Sequence, residues 1–360
     1  MPAHRRTVHA DTRPRPRPAL LLLLALALVA GMLAVGGPPT GPATAGTPRH
    51  CGLDDRLVPT CPGRVLTGAY ISPKQGEDYV EAVARHERQT GSPMSIVRFY
   101  YTGDRRFPNE VERRALRQGG RERLLFASWK PAAGQTWRDV AAGKADAMLK
   151  RQADYLREHW NRPMYLALHH EPEDDVRPGA GSGYQARDFA AMFRHVRSVF
   201  ERRGVDKAVW VMNYMGFQRW HLEPWFDQLW PGDSQVDWIA YDPYKTERLG
   251  GFEGGYAGLV NRHYGTAWNG FYRWASKHHA GTPIMLGEWG IAERKGKEKW
   301  KSVFFRRLAR KVSRTPQIRA MLYFDHDFAQ AAGDVSLDTS EYSLKGYRRF
   351  LQSRVIARIG

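Results

Sequence analysis

The sequence predicts an α/β chain folded as a single (β/α)8 TIM barrel behind an N-terminal signal segment, on three observations. From residue 65 onward, short β-branched or aromatic runs alternate with longer segments of helical period; there are eight such runs; and none leads into a G-x-G-x-x-G or P-loop turn. An open, doubly wound sheet is the alternative, and it is weakened by the missing glycine-rich turn. With 360 residues, 42% of them apolar and 12% aromatic, the chain can bury a core of barrel size.

Residues 1–45 read as a secretory signal peptide. Arg5, Arg6, Arg13, Arg15 and Arg17 form a basic start, Ala19–Val35 is an uncharged apolar run, and Ala43-Thr44-Ala45 supplies an A-x-A site. A cut after Ala45 is expected; an uncleaved membrane anchor is the alternative, since the apolar run is near the lower length limit for a span. Either way the rest of the chain is expected outside the cytoplasm, and a membrane is a partner only if the leader stays. Residues 46–64 read as a short extension closed by the only two cysteines, Cys51 and Cys61, as one disulfide. Such a loop contributes roughly 2–3 kcal/mol.

The apolar runs are Val65–Ser72, Met94–Tyr101, Leu124–Trp129, Met164–His169, Ala208–Tyr214, Val236–Tyr241, Ile284–Glu288 and Met321–Asp325. Helices are expected at Gly76–Gln89, Lys144–His159, Gln185–Arg203, Trp268–Lys277, Glu298–Ser313 and Leu344–Val355. Gln185–Arg203 is the clearest: Phe189, Met192, Phe193, Val196, Val199 and Phe200 share one face, with charged residues opposite. Met215–Gln235 reads as loop with one short helix. The barrel domain thus spans residues 65–360, and a monomer is expected.

The formal charge is +18; the first 45 residues supply five arginines and one aspartate, which leaves +14 beyond Ala45. Such a surface attracts anionic polymers, such as those of a cell envelope, unless it reflects arginine-rich coding alone. Nucleic acid is not expected as a partner, because no binding module is recognisable.

Active sites of such barrels sit at the C-terminal strand ends. The fourth run ends Leu168-His169-His170-Glu171-Pro172 and the seventh ends Leu286-Gly287-Glu288-Trp289, each presenting a carboxylate where burial can set its pKa. Strands four and seven face each other across an eight-stranded barrel. Carboxyls ~5–5.5 Å apart would serve double displacement at a sugar, whereas ~6.5–9.5 Å would mean inversion. Arg98, in the second run, needs a buried partner and is a candidate brace for a carboxylate. His169 is expected to pack outward against helices. No metal or other cofactor is expected: H-E-x-x-H spacing is absent, and the run Glu173–Asp175 reads as a solvated loop or, at most, a calcium site.

These two motifs resemble clan A glycosidases, whose acid/base follows strand four in an Asn-Glu-Pro context and whose nucleophile ends strand seven. With His170 in the asparagine position, the chain is similar to glycoside hydrolase family 26, the β-mannanase group, from about residue 65 to its end. The resemblance implies that Glu171 is the acid/base, that Glu288 is the nucleophile and that His170 positions the sugar or the nucleophile. It further implies that Tyr244, in Tyr241-Asp242-Pro243-Tyr244, bonds the nucleophile, and that Trp129 walls the sugar site. Two stretches differ from the family: Glu171 runs into Pro172-Glu173-Asp174-Asp175 instead of Met-Asn-Gly, and Leu322-Tyr323-Phe324-Asp325 lacks the usual tryptophan.

Aromatic side chains suit a sugar, whose C–H faces stack on rings. Among those near strand ends, Trp129, Tyr244 and Trp289 are expected to face substrate ahead of Tyr70 and Trp220, with Asn213 and Asp325 as candidates for sugar hydroxyls. The expectation is a secreted, retaining endo-β-glycosidase acting on a mannan-type polysaccharide. A non-catalytic glycan-binding barrel at the cell surface, or an enzyme processing envelope polysaccharide, are the alternatives.

Overall fold

The structure, a computed structural model, describes residues 50–132, 134–262, 268–328 and 333–359. The expected signal segment lies outside these residues.

Eight parallel strands close a barrel: β1 (Leu66–Ile71), β2 (Ile96–Thr102), β3 (Leu124–Lys130), β4 (Met164–Leu168), β5 (Ala208–Tyr214), β6 (Trp238–Tyr241), β8 (Ile284–Ile291) and β9 (Ile318–Asp325). Each pairs with its sequence neighbour; β6 with β8 and β9 with β1 complete the ring. The short strand β7 (Tyr244–Lys245) pairs with Gly290 and Ile291 beyond the ring.

Helices cover the outside where the sequence supplies an apolar stripe and a stop signal. In α1 (Tyr79–Thr90), Asp78 and Glu81 form a capping box and Gly91, at φ 66°, ends the helix in the left-handed region. In α5 (Ala186–Arg202) the expected face is buried throughout. The remaining expected helices are α4 (Asp146–His159), α8 (Phe271–His278), α9 (Lys299–Val312) and α10 (Glu341–Leu351). The structure adds α2 (Glu110–Leu116) and α3 (Trp137–Ala141), each opened by a capping box, Asn109 with Glu112 and Thr136 with Asp139.

Strand alternation separates two cores. Outward side chains meet the helices in one continuous apolar layer. Inward ones, including Leu66, Ile96, Phe126, Tyr165, Trp238, Met285 and Leu322, fill the lower barrel. The disulfide loop plugs that lower end. Cys51, Leu57 and Cys61 pack on the inner core, the Tyr165 hydroxyl donates to Leu57 O at 2.8 Å, and Trp238 Nε1 donates to Arg56 O at 2.6 Å. Cys51 and Cys61 form the disulfide, with Cα atoms 5.5 Å apart. The functional candidates gather at the upper end.

Candidate active site

At the upper end the inward positions turn polar. Arg98 of β2, fully buried, is the hub: Nε donates to Ser128 Oγ at 3.1 Å and Nη2 to Asn213 Oδ1 at 3.0 Å. Its guanidinium lies 3.3 Å from Glu288 Oε1 and 3.7 Å from Asp242 Oδ1. Burial opposes the charge on Arg98, but Tyr100, Glu288 and Asp242 outweigh it and raise the pKa, so the cation persists.

Glu288 accepts from Tyr100 at 2.6 Å through Oε1 and from Tyr244 at 2.5 Å through Oε2, while its amide donates to Asp242 Oδ1 at 2.9 Å. Both carboxyl oxygens are thus fixed in direction by phenol donors. The strand is irregular here: the register shifts between Leu286 and Trp289, so that Gly287 and Glu288 both come to the inner side. A Cβ on Gly287 would lie 2.8 Å from Asp242 Oδ1 and 2.9 Å from Arg98 Nη1, so glycine lets the cluster close.

Glu171 follows β4. Left-handed turns at His169 (φ 48°) and Glu171 (φ 56°) re-aim the chain, and the Glu171 amide is fixed to Asn213 O at 2.9 Å. One carboxylate oxygen each from Glu171, Asp242 and Glu288 lies within 4.8 Å of the others. Burial first, then the charges of Asp242, Glu288 and Glu173, push the Glu171 carboxyl well above its usual range. Burial and Glu288 push Asp242 upward too, although Arg98, Asn213 and the Glu288 amide oppose this. Asp242 therefore has donors to stabilise its anion, whereas the Glu171 carboxyl has none among the described residues. Of the two raised carboxyls, Glu171 is thus the better placed to hold a proton.

Three carboxylates so close could hold a cation. Here, however, the oxygens of Glu288 accept from Tyr100 and Tyr244 and pair with Arg98, and those of Asp242 accept from Asn213 and the Glu288 amide. An ion would have to displace those donors, so this set fits proton chemistry better than metal ligation.

His170 packs its ring edge-on against Tyr100, 5.1 Å between centroids. Burial and the charge of Arg98 hold it neutral, well below its ordinary pKa, and its Nδ1 is buried without a partner. On the β1 and β9 side, Tyr70 stacks on Phe324 at 4.7 Å and Phe324 on Phe328 at 5.1 Å, a ring platform whose members stay partly exposed.

Four expected substrate contacts are corrected. Trp129 and Trp289 are both fully buried on the outer face, Trp129 against Phe107 and Phe200, Trp289 against Tyr323, Phe305 and Tyr347. Asp325 also turns outward, to His86 Nδ1 at 2.8 Å and the Leu337 amide at 2.8 Å. Asn213 does face inward but is buried beneath the site and spends both ends of its amide on Arg98 and Asp242. The solvated loop at Glu173 is corrected as well. Pro172–Asp175 is a 3-10 turn, and the buried Glu173 accepts from the amides of Met215 and Gly216 at 2.8 and 3.4 Å.

The structure brings together Glu171, Glu288, His170, Tyr244 and Arg98, all singled out in the sequence. His169 packs outward as expected, accepting from Trp137 Nε1 at 3.1 Å through Nδ1, so that Nε2 carries the proton toward Asp175 at 2.6 Å. Asp242, Ser128 and Tyr100 join the site without having been among its expected residues. All three lie on the inward register shared with Arg98.

No protein-family model matches the sequence, and no curated protein matches it. Solved structures do resemble the fold. A mannanase from Bacillus subtilis superposes with a TM-score of 0.55 at 17% identity, covering 83% of this chain and 87% of its own. A family 26 β-mannanase from Bacteroides ovatus gives 0.54 at 15% identity, with 82% and 91% covered. A modular endo-β-1,4-mannanase from Cellulomonas fimi gives 0.54 at 14%, with 82% and 72% covered. At these identities the likeness establishes the barrel fold.

Proposed function

We propose that this chain is a retaining endo-β-glycosidase of the family 26 type, acting outside the cytoplasm on a mannan-type polysaccharide by double displacement. The observation that carries the reading is the pair Glu171 and Glu288, with oxygens within 4.8 Å and opposite environments. Facing oxygens this close suit the short carboxyl separation of retaining pairs (~5–5.5 Å). A carboxyl raised by burial marks Glu171 as the acid.

Glu288, oriented by the Tyr100 and Tyr244 hydroxyls and paired with Arg98, attacks the anomeric carbon while Glu171 protonates the leaving oxygen. Glu171, then ionised, takes a proton from the water that releases the glycosyl group. The Tyr70, Phe324 and Phe328 rings offer a stacking surface beside the reacting sugar, and the unpartnered His170 Nδ1 offers a polar contact for a hydroxyl. The signal-like leader and the disulfide support action in an oxidising compartment. That the similar folds include mannanases supports the mannan-type substrate.

Hydrolysis of β-1,4-mannan and a panel of neutral and acidic β-glycans tests this. Glu171→Gln and Glu288→Gln should each lower turnover roughly 10²–10⁴-fold with unchanged thermal unfolding. Proton NMR of the first product should show retained β configuration. Full activity in either variant would overturn the assignment, and an α product would replace retention by inversion.

A further inference from the structure

The cations of α9 differ from those on the rest of the helical shell. Residues 299–324 hold eight lysines and arginines and no aspartate or glutamate. Arg306, Arg307, Arg310, Lys311 and Arg314 are all exposed, and among the described residues none of their side chains forms an ion pair. The internal stretches outside the described residues, 133, 263–267 and 329–332, contain no acid that could supply one. On α4 and α5 the exposed cations do have partners: Lys150 pairs with Asp146 at 3.6 Å, Arg157 with Asp154 at 3.6 Å and Arg197 with Glu201 at 2.7 Å.

Helix electrostatics account for only part of the row. Cations in the last turn offset the helix dipole, which covers Arg310 and Lys311. Arg306 and Arg307 lie a turn earlier, and Arg314 lies past the helix end. Like charges four residues apart, as in Arg306 with Arg310, Arg307 with Lys311 and Arg310 with Arg314, work against a helix. The row therefore carries a repulsion that a bound polyanion would relieve.

Three of these cations also border a groove. Arg307, Lys311 and Arg314 line it from α9 and Arg273 from α8, and none of its described lining residues is acidic. Arg273 is likewise exposed and without a side-chain partner among the described residues. The groove measures about 530 Å³, and the partly exposed rings of Tyr272 and Trp300 border it too. A groove between two helices admits a single strand, whereas a flat bilayer meets only its rims. The exposed large apolar side chains, Leu222 and Tyr342, lie on neither α8 nor α9, so nothing here is set to insert into lipid. Guanidinium forks match carboxylates in geometry and charge, and rings suit the C–H faces of sugars. Residues four apart on α9 are ~6 Å apart along its axis, comparable with the length of one sugar unit. Helices of such a barrel return from the mouth end to the opposite end, so this row lies on the flank, away from Glu171 and Glu288.

From these observations we propose that the α8–α9 groove and the adjoining α9 row bind a linear anionic polysaccharide, with a carboxylate on each sugar unit, and hold the protein on it while the barrel mouth stays free. The site is separate from the catalytic centre and does not depend on the glycosidase reading.

Fluorescein-labelled decagalacturonate and its uncharged α-linked counterpart, maltodecaose, are the probes, read by anisotropy with the full chain. Decagalacturonate should bind and maltodecaose should not. The affinity should fall at least about tenfold between about 50 and about 200 mM salt, as counterion release requires. Arg307→Gln, Lys311→Gln and Arg314→Gln together should weaken binding at least about tenfold. Arg88→Gln, Arg121→Gln and Arg151→Gln together remove the same charge from other helices and loops and should weaken it less than about threefold; thermal melts check that both triple variants are folded. Equal losses in the two triple variants would mean that net charge alone attracts the polymer, and would overturn the site. Binding of a single-stranded DNA decamer or of phosphatidylglycerol vesicles as tight as that of decagalacturonate would overturn the assigned partner.

Discussion

The two faces of the strand ends use the same residue types for different purposes. Inward, Arg98, Tyr100, Asn213, Asp242 and Glu288 form one connected set around a carboxylate pair. Outward, His169 with Asp175 and Trp137, and Asp325 with His86, pin strand ends to neighbouring turns and helices. His169 and His170 are adjacent in sequence, as are Glu288 and Trp289, or Phe324 and Asp325, yet each pair is split between the faces. Residue type at a strand end therefore says little about role until the face is known.

The sharpest way to break this division is to remove the inner hub. Arg98→Met leaves Asp242 and Glu288 buried without their counter-charge, a change that costs about 3–5 kcal/mol when a buried pair loses one partner. Turnover should fall below detection and the melting temperature should drop. Because protonation can stand in for the missing guanidinium, the variant should regain stability as pH falls from 8 to 5. A variant melting like the unsubstituted chain at pH 8 would show that Arg98 does not balance these acids.

Next come the two phenols on Glu288. Tyr244→Phe and Tyr100→Phe each delete one hydrogen bond to a charged group, worth about 1.5–3 kcal/mol, so kcat should fall roughly 10- to 150-fold. Circular-dichroism melts should fall as well, since each change leaves a buried carboxylate oxygen short of a donor. A loss confined to KM would mean that the phenols touch substrate and leave the nucleophile alone.

On the outer face the expected pattern reverses. His86→Ala and Asp325→Asn each leave a buried polar group unpaired, at about 1–3 kcal/mol of stability. Denaturant melts should register that loss while kcat at a permissive temperature stays within about twofold. A large kcat effect from either would place Asp325 back among the substrate contacts.

The same division explains what the sequence disclosed. Eight apolar runs located all eight barrel strands, and long helices such as α5 showed their buried stripe. The short helices α2 and α3 escaped because one or two turns make no visible period, although Asn109-x-x-Glu112 and Thr136-x-x-Asp139 were in the sequence as capping boxes. Glu171 and Glu288 were legible as polar residues at strand ends and Arg98 as a charge inside an apolar run, whereas Tyr244 came from the family resemblance alone. Trp129 and Asp325 were misplaced because ring and carboxylate chemistry do not report strand parity. Counting outward from Arg98 gives Tyr100 the inner face, and in β3 Ser128 is inward, which leaves Trp129 outside. In β8 even that count fails, because the irregularity at Gly287 and Glu288 lets Leu286 and Trp289 share the outer face.

Glu173 belongs to neither face and gives the smallest effect. Its carboxyl is wholly buried beneath the loop after β5, with Oε1 bonded to two amides and Oε2 without a partner. Burial, only partly offset by those amides, pushes its pKa up from 4.5 to about 7. Between these values the folded chain keeps a proton that the unfolded chain has released, so this group's contribution to stability is full below pH 4.5 and is lost as pH rises through 7. Glu173→Gln retains an oxygen acceptor for the amides and removes the titration. Its melting temperature should gain on the unsubstituted chain with rising pH, by something on the order of 2 °C at pH 8 for each kcal/mol recovered. The two chains should converge at pH 4.5, and turnover should be little changed at either pH. A difference in melting temperature that stays constant from pH 4.5 to 8 would mean that Glu173 is already ionised in the folded chain.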